Sequence, residues 1–240
     1  MSTIQIYFKI RCRKKEKGGA LVLLRWFFMP LWTFLYTTGI APIKVEGGEL
    51  VRRLGACIIV SNHVDGADGS VLEYAFPFPI NFVVRKDYGK PALRLFLKLV
   101  TRIVWIDREE FALSQFREME ALLRSGRSMV IFAEGTRSTA MKRFHAGFVP
   151  LASRSRIPVV PVSISGTEDL LRGDLWKEIP RLIFRRRPPV RVIIHQPVKI
   201  QLAGRNKQEI ADQIGLLVAT GVGPMNRGFY AGRVATNKET

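Results

Sequence analysis

Cys57-Ile58-Ile59-Val60-Ser61-Asn62-His63-Val64-Asp65-Gly66-Ala67-Asp68 is a short apolar, β-branched run that gives way abruptly to polar and small residues. Such a run, bounded in this way, reads as a strand buried on both faces, the kind found in parallel sheets. The same event recurs along the chain. Residues 80–84 are followed by Arg85-Lys86, residues 103–106 by Asp107-Arg108, and residues 129–132 by Ala133-Glu134-Gly135-Thr136-Arg137. Residues 159–164 and 190–195 read as two more strands. Between these runs, residues 91–100 carry Leu93, Phe96, Leu97 and Val100 at helical spacing. Residues 109–124 read as a helix ended by Ser125-Gly126, and 207–218 as a last helix. Strands separated by helical stretches predict a single α/β domain, with a mostly parallel sheet flanked by helices. In an open sheet of this kind, ligands sit beyond the carboxyl ends of the strands. The polar residues that follow each run gather there.

The charge is lopsided. Thirty-eight Lys and Arg against twenty Asp and Glu leave a formal net charge of +18, which directs the chain toward nucleic acid, anionic lipid headgroups or acidic proteins. A nucleic-acid surface would interleave basic residues with exposed aromatics. Here basic runs such as Arg185-Arg186-Arg187 lack aromatics, which concentrate near the N-terminus, so nucleic acid is not an expected partner. Arg11, Arg13, Lys14, Lys15 and Lys17 precede an apolar segment from Ala20 to Ile43, broken by Arg25, Pro30 and Pro42. The segment lacks a signal peptide's cleavage site, and its longest uncharged stretch has a proline inside. The expectation is two short helices in the interface of an anionic membrane, with Trp26, Trp32 and Tyr36 near headgroup level. Packing against the protein's own core and a tilted span are the alternatives. Residues 1–45 are thus read as a membrane-interfacial segment, 46–220 as the folded domain, and the glycine-rich 221–240 as a loosely ordered tail. Cys12 and Cys57 fit neither a disulfide framework nor a metal site, so a reducing compartment is expected.

His63 is the side chain best suited to take a proton from an alcohol near neutral pH. A carboxylate on its second ring nitrogen would fix the tautomer. Asp68 can do so if the chain turns from strand into helix between them, and Asp65 competes for the place. The bland alternative is a capping Asp beside a His that bonds backbone. No G-x-S-x-G turn presents a serine nucleophile; Ser61, Ser70 and Ser138 lie nearby without that context. A dyad lacking an enzyme nucleophile suits direct attack by a substrate hydroxyl on an activated acyl group. Around Gly135, a tight turn can aim amides at an anion. Arg137 adds a fork suited to phosphate and Thr136 a hydroxyl donor, while Arg108 and Lys86 come from neighbouring strand ends. The alternative is a surface turn in which Glu134 is an ordinary ion-pair partner. Pro158 and Pro161 in one apolar run predict an edge strand or an irregular approach to a strand.

Taken in order, these pieces resemble the glycerolipid acyltransferase family typified by bacterial 1-acylglycerol-3-phosphate acyltransferase. Its N-H-x4-D block is matched by Asn62, His63 and Asp68, and its second block by Trp105-Ile106-Asp107-Arg108. Glu134-Gly135-Thr136-Arg137 matches the third and Val160-Pro161-Val162 the fourth. The resemblance implies His63 as general base and Asp68 as its orienter. It implies a substrate-binding set of Asn62, Lys86, Arg108, Glu134, Gly135, Thr136 and Arg137, in which Arg108, Glu134, Gly135 and Arg137 shape the phosphate site with Lys86 as an addition, and Pro161 lies toward the acyl donor. The implied reaction moves a fatty acyl group from acyl-CoA or acyl-carrier protein to a lysophospholipid hydroxyl, 1-acylglycerol-3-phosphate before others, giving phosphatidic acid. It would use no metal, no cofactor beyond the thioester donor, and no covalent enzyme intermediate, at the cytoplasmic face of the cell membrane. Departures are Asp65 where the family often has Ser, Gly66 and Ala67 where it has bulky residues, Arg102 for Gly and His145 for Lys. They leave open another acceptor, such as a lyso-ornithine lipid or lysophosphatidylethanolamine. A non-enzymatic basic protein that binds anionic lipid or nucleic acid is the remaining alternative.

Overall fold

Apolar runs without alternation need cover on both faces, and helices on either side of one sheet supply it. The computed structural model describes residues 42–89, 91, 94, 95, 97, 101–107, 113–168 and 189–236. Seven strands form the sheet: β1 Ile43–Glu46, β2 Ile58–Ser61, β3 Ile80–Arg85, β4 Arg102–Ile106, β5 Ser128–Phe132, β6 Val159–Ser165 and β7 Val190–Ile194. Their order is β1-β7-β6-β2-β5-β3-β4. Every neighbouring pair is parallel except β6 and β7. Among the described residues the α-helices are α1 Asp68–Ala75, α2 Leu113–Arg124, α3 Phe148–Ser155, α4 Lys207–Thr220 and α5 Ala231–Thr236. This is the single α/β domain expected.

The alternation of a strand divides the core into two layers. Ile58, Val60, Met129 and Val159 pack with Leu123 of α2, Leu151 of α3 and Ile214 of α4 on one face. Ile59, Val130, Val160 and Val192 pack with Val71 and Leu72 of α1 on the other. Truncating a fully buried residue such as Leu151 or Met129 to Ala would cost about 2–5 kcal/mol. The connections explain where a crevice opens. β2 runs through α1 on one face and continues to β3, on the β5 side of the sheet; β5 runs through α3 on the opposite face and returns past β2 to β6. Neighbouring strands whose connections depart in opposite directions leave a gap beyond their carboxyl ends.

Three features differ from the sequence reading. The sheet begins at Ile43, since β1 pairs with β7 from Ile43↔Val190 to Glu46↔Ile193, so residues 43–45 belong to the domain. The expected membrane segment otherwise lies outside the described residues, as do most of 91–100 and residues 109–112 of the expected second helix. Residues 221–236 are not a loose tail. They form two 3-10 turns, Pro224–Asn226 and Gly228–Tyr230, followed by α5, and they bury Val222, Tyr230 and Val234. One aromatic anchor overrides the flexibility that the local glycines imply. Lastly, β6 is an interior strand despite Pro161, pairing with β2 on one side and β7 on the other. Val162 faces Ile194 whereas Val159 bridges Val198, so the partner carries one extra residue opposite the proline. A bulge there accommodates a residue with no N–H to donate.

Candidate active site

His63 follows β2 and Glu134 follows β5, so both stand at the crevice between the diverging connections. The turn from β2 into α1 supplies the geometry on which the dyad depends. Asp68 is the first residue of α1, and its Oδ2 accepts from Val64 N at 2.6 Å and Asp65 N at 2.9 Å. These bonds fold residues 64–67 back so that the same oxygen meets His63 Nδ1 at 2.8 Å. Asp68 is fully buried, while the His63 side chain keeps 21% exposure. Asp65 is not the competing partner: its Oδ1 accepts from Ala67 N at 2.8 Å, closing the turn. A carboxylate on Nδ1 makes that nitrogen the N–H donor and leaves the Nε2 lone pair to accept a proton.

The second loop holds the histidine from behind. Glu134 Oε1 accepts from His63 N at 3.0 Å, and Ser138 N donates to His63 O at 2.8 Å. The imidazole stacks on Phe132, the last residue of β5, with centroids 4.0 Å apart and planes 16° apart. Gly135 adopts φ 75°, which lets the chain turn back on Phe132, where Gly135 N donates to the carbonyl at 3.0 Å. Glu134 Oε2 accepts from Lys142 N at 2.8 Å. Burial pushes the Glu134 carboxyl up from 4.5 to about 7, against the lowering effect of the Lys142 and His63 N–H groups.

The expected binding set therefore divides. Glu134 is 2% exposed and Asn62 is fully buried, and both side chains bond backbone groups. Asn62 Nδ2 donates to Ile164 O and its Oδ1 accepts from Ile164 N, both at 2.9 Å, tying β2 to β6. Pro161 is buried within β6 opposite Val60, away from the open strand end. Thr136, Arg137 and Lys86 are exposed at that end. The Arg137 guanidinium lies 5.9 Å over the Tyr88 ring. Among the described residues neither Arg137 nor Lys86 has a carboxylate partner, a state suited to an incoming phosphate. Arg108 lies outside the described residues.

The rival serines are committed elsewhere or shielded. Ser70 Oγ donates to Ala67 O, Ser138 Oγ to Ala140 O, and Ser61 is fully buried. The sequence reading missed Phe132, Ser138 N and Lys142 N. The last two act through main-chain amides, which no residue type announces.

The model of the family described as "Acyltransferase" matches residues 42–165. A 1-acyl-sn-glycerol-3-phosphate acyltransferase of Borreliella burgdorferi is 24% identical over 75% of this chain and 72% of its own length. One from Limnanthes douglasii is 30% identical over 62% of this chain and 54% of its own. The crystal structure of the 1-acyl-sn-glycerophosphate (LPA) acyltransferase from Thermotoga maritima superposes with a TM-score of 0.62 at 22% identity. That match covers 90% of this chain and 85% of the other, and it carries the fold.

Proposed function

The chain belongs to the acyltransferase family, and from that membership we propose that it acylates the free hydroxyl of 1-acylglycerol-3-phosphate, taking the acyl group from an acyl thioester. It is an O-acyltransferase of phospholipid biosynthesis; the acceptor, the donor and the residue roles are the proposal. The observation that supports them is the 2.8 Å contact of His63 Nδ1 with Asp68, made where Arg137 and Lys86, without a carboxylate partner among the described residues, stand beyond neighbouring strands.

His63 Nε2 removes the proton from the acceptor hydroxyl as its oxygen attacks the thioester carbonyl. Asp68 balances the imidazolium that forms. The tetrahedral intermediate collapses to an ester, and the expelled thiolate recovers the proton from His63, so the enzyme is regenerated. Both coenzyme A and acyl-carrier protein present such a thioester on an anionic carrier, which suits a chain of net charge +18. Arg137 and Lys86 would hold the phosphate of the acceptor and so orient its hydroxyl. The departure at Asp65 does not argue for a different acceptor, because that carboxylate is spent on Ala67 N.

The basic, aromatic stretch of residues 1–41 supports attachment to an anionic membrane, with the cytoplasmic face of the cell membrane as the proposed location. Among the described residues no helix is long and apolar enough to cross a membrane. Labelled acyl-CoA and acyl-carrier protein, each offered a panel of lysolipids, test the substrates directly. The expected product is phosphatidic acid; preferential acylation of a lysolipid without a terminal phosphate would overturn the acceptor. Deleting residues 1–41, which spares β1, should release the protein from anionic vesicles. Unchanged vesicle binding would assign attachment to the folded domain.

A further inference from the structure

Residues 224–236 lie beyond the span matched by the family, yet they hold the loop that holds the histidine. Met141 is fixed to them twice: its N donates to Asn226 O and its O accepts from Phe229 N, both at 2.9 Å. The turn that reaches it needs Gly228, at φ 49°, where a Cβ would stand 2.2 Å from Met141 O. Three residues on, Phe144 N donates to the hydroxyl of fully buried Tyr230 at 3.0 Å. The two rings meet edge to face, with centroids 5.9 Å apart. Between these fixed points, Lys142 N donates to Glu134 Oε2, and Glu134 Oε1 receives His63 N.

We infer that Tyr230 is a positioning residue for the acyl-transfer reaction, setting His63 through Phe144, Lys142 N and Glu134. The inference rests on His63 being the general base. The physical ground is leverage. A buried carboxylate that bridges two backbone N–H groups has a place only as definite as theirs, and the Lys142 amide is suspended between Met141 and Phe144. If that amide drifts, Glu134 loses one of two donors that favour its charged form, and the neighbouring Asp68 charge then opposes ionisation less restrained. The catalytic imidazole is displaced at its backbone while its bond to Asp68 persists.

The test compares five full-length proteins in steady-state acyl transfer from acyl-CoA to lysophosphatidate: wild type, Tyr230→Phe, Gly228→Ala, Val234→Ala and His63→Ala. Tyr230→Phe keeps the ring and removes the acceptor for Phe144 N. Gly228→Ala pushes on Met141 O with Tyr230 intact. Val234→Ala loosens the same C-terminal segment in its core and removes none of the hydrogen bonds to Met141 and Phe144. Tyr230→Phe and Gly228→Ala should each lower kcat about tenfold, with little change in KM. They should also move the acidic limb of the kcat/KM profile to higher pH. Val234→Ala should lower Tm while leaving kcat and the profile as in wild type. If the first two variants match Val234→Ala in kcat and pH profile, while His63→Ala is inactive, Tyr230 is structural only and the inference fails alone. If His63→Ala turns over near the wild-type rate, the general-base role fails first and the positioning role falls with it.

Discussion

The turn after β2 and the turn after β5 each bring one carboxylate to His63, but to opposite ends of the residue. Asp68 gathers the ring Nδ1 and two local amides on a single oxygen, all within five residues of chain. Glu134 reaches the His63 backbone amide across a separation of 71 residues and spends its other oxygen on Lys142 N. In the proposed mechanism the first contact touches the group whose charge changes during proton transfer, so it acts on the barrier. The second touches only main chain, so it acts on where the ring stands. Arg137, three residues after Glu134, points the other way and is exposed. One short loop thus has a buried side and an exposed side, and in the proposed reading the exposed side is the one that meets the acceptor.

Breaking the ring contact should cost most. Asp68→Asn can keep an oxygen for Val64 N and Asp65 N, but its amide cannot balance an imidazolium or enforce the Nδ1–H tautomer. The expected loss in kcat is about 10³–10⁴-fold, with an unchanged circular dichroism spectrum; a loss below tenfold would mean that the pair is structural. Glu134→Gln breaks the backbone contact instead. Its single oxygen can serve His63 N or Lys142 N and leaves the other buried amide unpaired, at a cost of about 1–3 kcal/mol in stability. Misplacing the ring should lower kcat by about 10²-fold, less than Asp68→Asn; the reverse ranking would invert the assignment of roles. The same pair of proteins yields a pH signature. Burial raises the folded Glu134 carboxyl from 4.5 to about 7, so folding binds a proton there. Its contribution to stability is fully present below pH 4.5 and is lost as pH rises through about 7. Wild-type stability should therefore fall relative to Glu134→Gln across that window by up to about 3 kcal/mol, read as the difference in denaturant midpoints. A flat difference would place Glu134 in an environment far less buried than the fold gives it.

How much of this was legible depended on the range over which each feature is encoded. The strands were readable because runs such as Cys57–Val60 must be apolar on both faces, a local signal. β1 was not, since Ile43-Lys44-Val45-Glu46 alternates and becomes a strand only by pairing with β7, some 147 residues away in Ile43↔Val190. α1 and α3 are each eight residues long, too short for a helical period to stand out. His63, Asp68 and the Glu134–Arg137 block were visible as residue types in a familiar spacing. Which of them turn inward was not, because Asn62 and Glu134 look as polar as Arg137 in sequence. Their inward bonds, to Ile164 and to the amides of His63 and Lys142, are made by tertiary contact. Tyr230 was lost for the same reason, hidden in a glycine-rich stretch whose order comes from what the ring packs against.

The smallest expected effect probes the outward side of the β5 turn. Arg137 has no carboxylate partner among the described residues and rests its guanidinium over Tyr88, itself 36% exposed. Removing it should leave the interior alone, so Arg137→Ala is expected to change stability by less than about 0.5 kcal/mol. A charge-assisted bond to a phosphate contributes about 1.5–3 kcal/mol, and exposure draws it to the lower end. KM for lysophosphatidate should therefore rise about tenfold, while KM for a monoacylglycerol should move little, because a neutral acceptor never used the fork. Arg137→Lys should fall between, keeping the charge and losing the two-pronged geometry. An equal rise in KM for both acceptors would mean that Arg137 shapes the loop rather than reading the phosphate, and would make the β5 turn inward-acting throughout. A rise confined to the phosphate-bearing lipid would separate the two sides of that turn: Glu134 sets the histidine, and three residues later the same chain selects what the histidine acts upon.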